Sequence, residues 1–352
     1  MKKFITMMVT ILMLVGSGQT IAATQYTITD IGTLGGSYSR AWGINNTGQV
    51  VGGSYTTENR THAFLYDGTT INDLGTLGGD ASALGINDNG NIVGNSGEHA
   101  FLYDGTAMKD IGTLGGSQSG AYGINNNGQV IGYSQITGNS TIHAFLYDGT
   151  VMRDLGTLGG ISSQAWGINN SGQVIGKSST GDSTTHAFLY DGAAMRDLGT
   201  LGGSSSYAFG INNNAQVVGS SYTIGDSAIH TFFYDGTIMR DIGTLGGSFS
   251  QASSINNNGQ IVGYSNMSGD VIQHPFLYDG GNMIDLNTLL PTGSGWWLIG
   301  ATGINDLGQI VGYGRFNSEE HAFLMTPVPE PTTLALFGLG GLMLRRRIKG
   351  CP

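Results

Sequence analysis

A unit of roughly 44 residues recurs along most of this chain, and a chain that repeats at such a period must build its core by packing copies against one another. Seven histidines mark the repeat: His62, His99, His143, His186, His230, His274 and His321 stand 37, 44, 43, 44, 44 and 47 residues apart. Around them the pattern runs A-x-G-I-N-N-x-G-Q-V-V-G-x-S, a variable stretch, H-A-F-L-Y-D-G, then x-M-R-D-L-G-T-L-G-G-S. Turn chemistry divides the unit into four strands. In the third copy, residues 119–125, 128–134, 143–148 and 152–158 read as strands, with Asn-Asn-x-Gly and Asp148-Gly149 supplying turn residues between them. Ala144, Phe145, Leu146 and Tyr147 put apolar side chains on both faces, which suits a sheet covered on each side by a neighbouring sheet.

This pattern predicts an all-β chain, a seven-bladed β-propeller of four-stranded blades. Residues 26–34 have the sequence of a fourth strand without its unit, whereas the seventh unit stops after its third strand at residues 321–325. The N-terminal strand is therefore expected to close the last blade, which leaves no exposed array ends. A second phasing, with D-L-G-T-L opening each blade, also gives seven blades but shares none. A β-solenoid is the alternative architecture, although its coils usually take about 20 to 30 residues. The 61 glycines and the 11% of charged residues fit a turn-dense strand protein, and the 39% of apolar residues excludes a disordered chain.

The two ends differ from the body. Lys2 and Lys3, an apolar run over residues 4–15 and a small-residue close at Ala22-Ala23 read as a secretory signal peptide over residues 1–23, with the repeat body at 24–326 and a tail at 327–352. The one cysteine, Cys351, leaves no partner for an intramolecular disulfide. Residues 24–344 hold 8 cations and 24 carboxylates, a net charge of −16, which excludes nucleic acid as a partner bound through charge.

The units resemble the extracellular HAF-repeat family in His62-Ala63-Phe64, His99-Ala100-Phe101, His143-Ala144-Phe145, His186-Ala187-Phe188 and His321-Ala322-Phe323, while His230-Thr231-Phe232 and His274-Pro275-Phe276 depart by one residue. The resemblance covers residues 26–326 and implies a secreted protein without specifying a biochemical role. The turn pattern is also similar to kelch propellers, without their diagnostic tryptophan. Val328-Pro329-Glu330-Pro331, an apolar run to Leu344 and the cluster Arg345-Arg346-Arg347 resemble a PEP-CTERM sorting signal. That resemblance implies exosortase and the secretion machinery as partners, transient residence of the tail in the inner membrane, and delivery to the cell surface or an exopolysaccharide matrix. The 13 residues from Thr332 to Leu344 make about 20 Å of helix, short of a hydrocarbon core of about 30 Å, so thinning or snorkelling by the arginines must cover the difference. A buried C-terminal helix is the alternative for this segment.

Residues repeated seven times are spread round a ring, whereas a catalytic site needs unlike groups converging. The histidines are therefore read as structural hydrogen-bonding residues rather than metal ligands. Asp67, Asp104, Asp148, Asp191, Asp235 and Asp279 sit in Asp-Gly turns, and Asp30, Asp73, Asp110, Asp154, Asp197, Asp241 and Asp285 lie in fourth strands. Neither set has EF-hand spacing, so no cofactor is expected and Ca²⁺ stands as the lesser alternative. Lys109, Arg153, Arg196 and Arg240 are expected to guard an exposed sheet edge, and the Asn-x-Ser/Thr triplets at Asn45, Asn139 and Asn169 are read as turns. Trp42 and Trp166, at a repeated strand position, are expected in the core.

Residues 289–300 break the repeat, and there Trp296 and Trp297 are the candidate ligand-binding residues, able to stack on sugar rings or seat a protein. The alternative is that they pack the junction where the ring closes. The reading is a non-catalytic module that binds exopolysaccharide, another envelope component or a surface protein, or acts as an interaction scaffold. A polysaccharide-acting enzyme would need a site from non-repeated residues such as Glu58, Glu98, Lys177, Arg315, Glu319 and Glu320, and no nucleophile-elbow, zinc-protease, P-loop or paired-cysteine motif supports one.

Overall fold

The structure is a computed structural model and describes residues 25–329 apart from residue 140. The described chain is built from strands, with only two short 3₁₀ turns, Ile224–Asp226 and Leu286–Leu289. In the third unit Gly115–Ile124, Val130–Ile136, Ile142–Tyr147 and Met152–Asp154 pair in sequence order as an antiparallel meander, and the other units repeat this order. Gly128, with φ +79, and Gly149, with φ +97, carry the backbone through the turns that the sequence marks.

Two strand bounds differ from expectation by four residues, the others by two at most. The first strand begins at Gly115 rather than 119, and the fourth ends at Asp154 rather than 158. The Asp154 carboxylate accepts from the amide of Gly156 at 2.7 Å, which turns the chain out of the sheet. Leu158 then forms a parallel bridge to Thr180 of the next unit. The L-G-T-L segment is thus a crossover between units, not the end of a strand. A bulge between Ala121 and Gly123 brings the first strand close to the second. At Gly132 an added Cβ would lie 1.9 Å from the carbonyl oxygen of Gly120, so only glycine fits there.

The core lies between units. Ile175, Ala187 and Leu189 of the fourth unit pack on Ala208, Val217 and Phe232 of the fifth, and corresponding clusters fill the other seams. Val311, Ala322 and Leu324 of the seventh unit pack in the same way on Ala41, Val50 and Phe64 of the first. The phenylalanine of every H-x-F triplet is fully buried. This is why both faces of the third strand are apolar: each is covered by a different neighbour. A serine clips five of the seams, supplied by Ser39, Ser119, Ser163, Ser206 and Ser250. Ser163 accepts from the amide of Ala144 at 2.9 Å and donates to the carbonyl of Gly156 at 2.5 Å.

The N-terminal strand Tyr26–Gly32 pairs antiparallel with Glu319–Pro327, from Tyr26 opposite Pro327 to Gly32 opposite Ala322. It therefore lies beside the last strand of the seventh unit. Tyr26 and Ile31 are buried by this pairing, and burial pushes the Tyr26 hydroxyl up to about 12. The compact body spans Tyr26–Val328. The signal-peptide reading and most of the tail, including Glu330, Pro331 and Arg345 to Arg347, lie outside the described residues, whereas Val328 and Pro329 stand exposed at the end of the body. Among the described residues no helix is long and apolar enough to cross a membrane.

Candidate functional site

The histidines have a common partner. His143 Nδ1 lies 2.7 Å from a carboxylate oxygen of Asp154, and His62, His99, His186, His230 and His274 meet Asp73, Asp110, Asp197, Asp241 and Asp285 in the same way. His321 finds the equivalent carboxylate in Asp30, at 3.0 Å across the closing strand pair. An ionised carboxylate only accepts, so Nδ1 carries the proton. The bond from Asp110 raises the His99 pKa above its ordinary value. These seven pairs tie third strands to fourth strands. Among the described residues no three His, Cys, Asp or Glu side chains gather where one metal ion could be held.

The turn carboxylates of Asp67, Asp104, Asp148, Asp191 and Asp235 serve local backbone. Asp148 accepts from the amides of Thr150 and Val151 at 3.0 and 2.9 Å, and its pKa is lowered to about 2, first by the Val151 amide. Lys109, Arg153 and Arg240 pair with the turn carboxylates Asp104, Asp148 and Asp235 along the outermost strands. Arg196 instead donates to the Tyr234 hydroxyl at 3.3 Å.

The Asn-Asn turns do more than turn. Asn125 donates through Nδ2 to the carbonyl of Asn169 in the next unit at 3.1 Å, Asn169 to Asn212, Asn212 to Asn256, and Asn256 to Asn305. Asn305 donates to Asn45 at 3.0 Å, Asn45 to Asn87, and Asn87 back to Asn125. The chain of amides returns to its start. A second circuit passes through the following residues, where Asp306 accepts from the amide of Asn257 and donates its own amide to Asn46. Asn45 and Asn169 are buried in the first circuit, which gives the Asn-x-Ser/Thr triplets there a packing role.

Three adjoining cavities follow from this ring. The first is lined by the asparagine pairs and the preceding isoleucines, the second by those isoleucines and the A-x-G-I variable residues. The third, of about 550 Å³, lies beyond the same variable residues. These are Trp42, Leu84, Tyr122, Trp166, Phe209, Ser253 and Thr302, in unit order. The expectation that Trp42 and Trp166 belong to the core is therefore corrected. Both are half-buried and face the third cavity, because this repeated position points into the cavity, where no neighbouring sheet covers it. Trp166 stacks on Phe209 with centroids 4.7 Å apart, and Lys177 lies 5.2 Å from the centre of the Trp166 ring. Burial lowers the Lys177 pKa and pushes the Tyr122 hydroxyl up to about 12, so that phenol stays a proton donor. Sequence reasoning missed this site; its signal was the W, L, Y, W, F, S, T variation between a constant Ala or serine-flanked Ala and a constant Ile.

Trp296 and Trp297 are not a paired platform in a loop. They are consecutive in the strand Trp296–Ile304 and so point to opposite faces. Trp296 is buried, stacked on Phe316 at 5.0 Å and edge-on to Phe323. Trp297 is 45% exposed and meets the His274 ring at 5.0 Å and 87°. Here Asn287 replaces the seam serine: it accepts from the amide of Leu298 at 2.9 Å and donates to its carbonyl at 3.2 Å. Of the charged candidates, Arg315 and Glu320 face each other across strands, and Glu319, just before Glu320, stands opposite Phe316. Glu320 is bound to Arg40 at 2.5 Å. Among the described residues no hydrogen bond or ion pair joins these to Glu58, Glu98 or Lys177.

The tail decides one point. A model of the PEP-CTERM protein-sorting motif matches residues 327–347. The chain carries an exosortase sorting signal. Such a signal implies export across the inner membrane and sorting to the cell surface. A family described as a protein of unknown function (DUF3466) matches residues 200–323. No curated protein matches the sequence. Among solved structures, the β-propeller domain of the Trilobed protease from Pyrococcus furiosus, described as having an open velcro topology, is 9% identical at a TM-score of 0.55, covering 82% of this chain and 95% of that one. YCF48 bound to D1 peptide is 10% identical at 0.55, over 89% and 98%. A TolB from Agrobacterium tumefaciens, described as putative, is 13% identical at 0.50, over 84% and 100%. At these identities the likeness speaks for the fold alone: all-β and propeller-like.

Proposed function

We propose that this chain is an exported, non-catalytic seven-bladed β-propeller, closed by its N-terminal strand, that binds exopolysaccharide or another component of the cell envelope. Closure is supported by the pairing of Tyr26–Gly32 with Glu319–Pro327, by the amide circuit that returns from Asn305 to Asn45, and by the core cluster joining the seventh unit to the first. The HAF-repeat resemblance is in keeping with this export. A binding role rests on one observation: the units agree where they pack and differ where they line the central cavity. Trp42, Tyr122, Trp166 and Phe209 stay half-buried there although their size would permit full burial elsewhere. Apolar surface kept open to a cavity is the usual ground plan of a ligand site.

A catalytic role has less support. The repeated His–Asp pairs are spent on joining strands, and the non-repeated charged residues are scattered over units 1, 2, 4 and 7. The test is retention of the exported, processed protein on insoluble exopolymer and on envelopes from the host that secretes it. Binding without release of new reducing ends is expected. A folded protein that is retained by neither material refutes the binding reading, and steady release of reducing ends refutes the non-catalytic one.

A further inference from the structure

The central cavity is not symmetric. At the A-x-G-I position five units carry Trp, Leu, Tyr or Phe, but the sixth and seventh carry Ser253 and Thr302. Two residues earlier in the seventh unit stands Gly300, where the first unit has Arg40 and the fifth Tyr207. These small residues let the 550 Å³ cavity extend sideways, between Tyr264 of the sixth unit and Tyr313 of the seventh, as far as Gln273. Its size falls inside the range of about 300–1,000 Å³ typical of small-molecule sites. The floor is the strand Trp296–Ile304, and the exposed Trp297 lies farther out along it against His274. From Thr302 to Trp297 the strand covers about 16 Å at its usual rise.

The lining chemistry is uniform in one respect. It contains aromatic rings, amides and hydroxyls, and no charged side chain. The nearest guanidinium, Arg40, lies over the Tyr313 ring at 4.1 Å and is neutralised by Glu320 at 2.5 Å. Aromatic faces accept the C–H face of a ring, and amides and hydroxyls bond to the hydroxyls around its edge. The net charge of −16 over residues 24–344 opposes polyanions.

Building on the binding role above, we infer that the groove between the sixth and seventh units holds a segment of an uncharged linear saccharide, stacked between Tyr264 and Tyr313 and hydrogen-bonded by Gln251, Ser253, Gln273 and Thr302. Specificity for the neutral chain follows from a lining without charged side chains, since the adjoining cations are engaged elsewhere, Arg40 by Glu320 and Lys177 against the Trp166 ring. Trp297 extends the same track outward and acts as an outer stacking surface.

Ser253→Trp tests this, because Trp42 and Trp166 show that the position accommodates an indole in other units. The exported protein is titrated by calorimetry with neutral hexasaccharides of β-1,4-glucan, β-1,4-mannan, β-1,4-xylan and α-1,4-glucan, and with hexagalacturonate. The expected result is binding of at least one neutral chain, weakened tenfold or more by Ser253→Trp and by Tyr264→Ala, with thermal unfolding close to that of the parent for Ser253→Trp. The inference is overturned if no neutral chain binds, if hexagalacturonate binds more tightly, or if Ser253→Trp leaves the affinity unchanged. Retention on whole exopolymer in any of those cases would leave the binding module standing and discard only this groove; loss of both would discard the two together.

Discussion

Asn305→Ala should cost as much as Asn125→Ala, and the comparison tests whether the ring is closed. Asn125 donates to Asn169 and Gln129 and accepts from the amides of Asn127 and Gln129. Asn305 makes the same four bonds, to Gln309, Leu307 and, across the seam between chain ends, the carbonyl of Asn45. Both side chains are buried. At a net of about 1 kcal/mol for each bond, alanine costs roughly 4 kcal/mol at either site. Equilibrium unfolding in urea reads this as a lower midpoint with an unchanged slope. In an open array the Asn305 amide would face water instead of Asn45, and its loss would be correspondingly cheaper. With only that bond missing, alanine would cost about 3 kcal/mol, so a cost at Asn305 lower than that at Asn125 by about 1 kcal/mol or more would refute the closed ring.

Three further outcomes follow from the same geometry. Trp296→Ala should destabilise by about 3–5 kcal/mol as a buried aromatic truncation, whereas Trp297→Ala should cost no more than about 1 kcal/mol; urea midpoints separate them, and equal costs would contradict the opposite faces. The pKa values of Asp148 and Asp235 are depressed to about 2, Asp148 first by the Val151 amide and Asp235 first by the Thr237 hydroxyl. What they add to stability is therefore complete above the ordinary carboxylate pKa of about 3.9 and lost as pH falls through about 2; carboxyl ¹³C NMR should show both titrating well below the unfolded chain. His99 has the opposite sign: its raised pKa, due first to the Asp110 bond, gives a contribution complete below the ordinary value of about 6.5 and lost as pH rises through the folded value. Imidazole NMR should find that raised value in the parent and not in Asp110→Asn.

Local chemistry made much of this protein legible in its residues. The repeat, the order of four strands, the two turns of each unit and the orphan fourth strand at the N-terminus all depend on neighbours in sequence, on alternation and on residues that tolerate turns. The roles of the turn aspartates also follow from contacts two and three residues away. The L-G-T-L crossover has the local pattern of a strand because its apolar residues pack against the next unit, and packing partners 20 residues on leave no local mark. The environment of Trp42 and Trp166 is hidden from the sequence for a related reason. An apolar residue beside a buried alanine looks the same whether it faces a neighbouring sheet or a cavity shared by several units, and only the arrangement of the units distinguishes the two. The sequence by itself determined what each unit is; the tertiary structure decided which side chains meet at the centre, how Asn305 reaches Asn45, and that Ser253, Gly300 and Thr302 open one seam of the cavity, because these depend on distances between residues from different units.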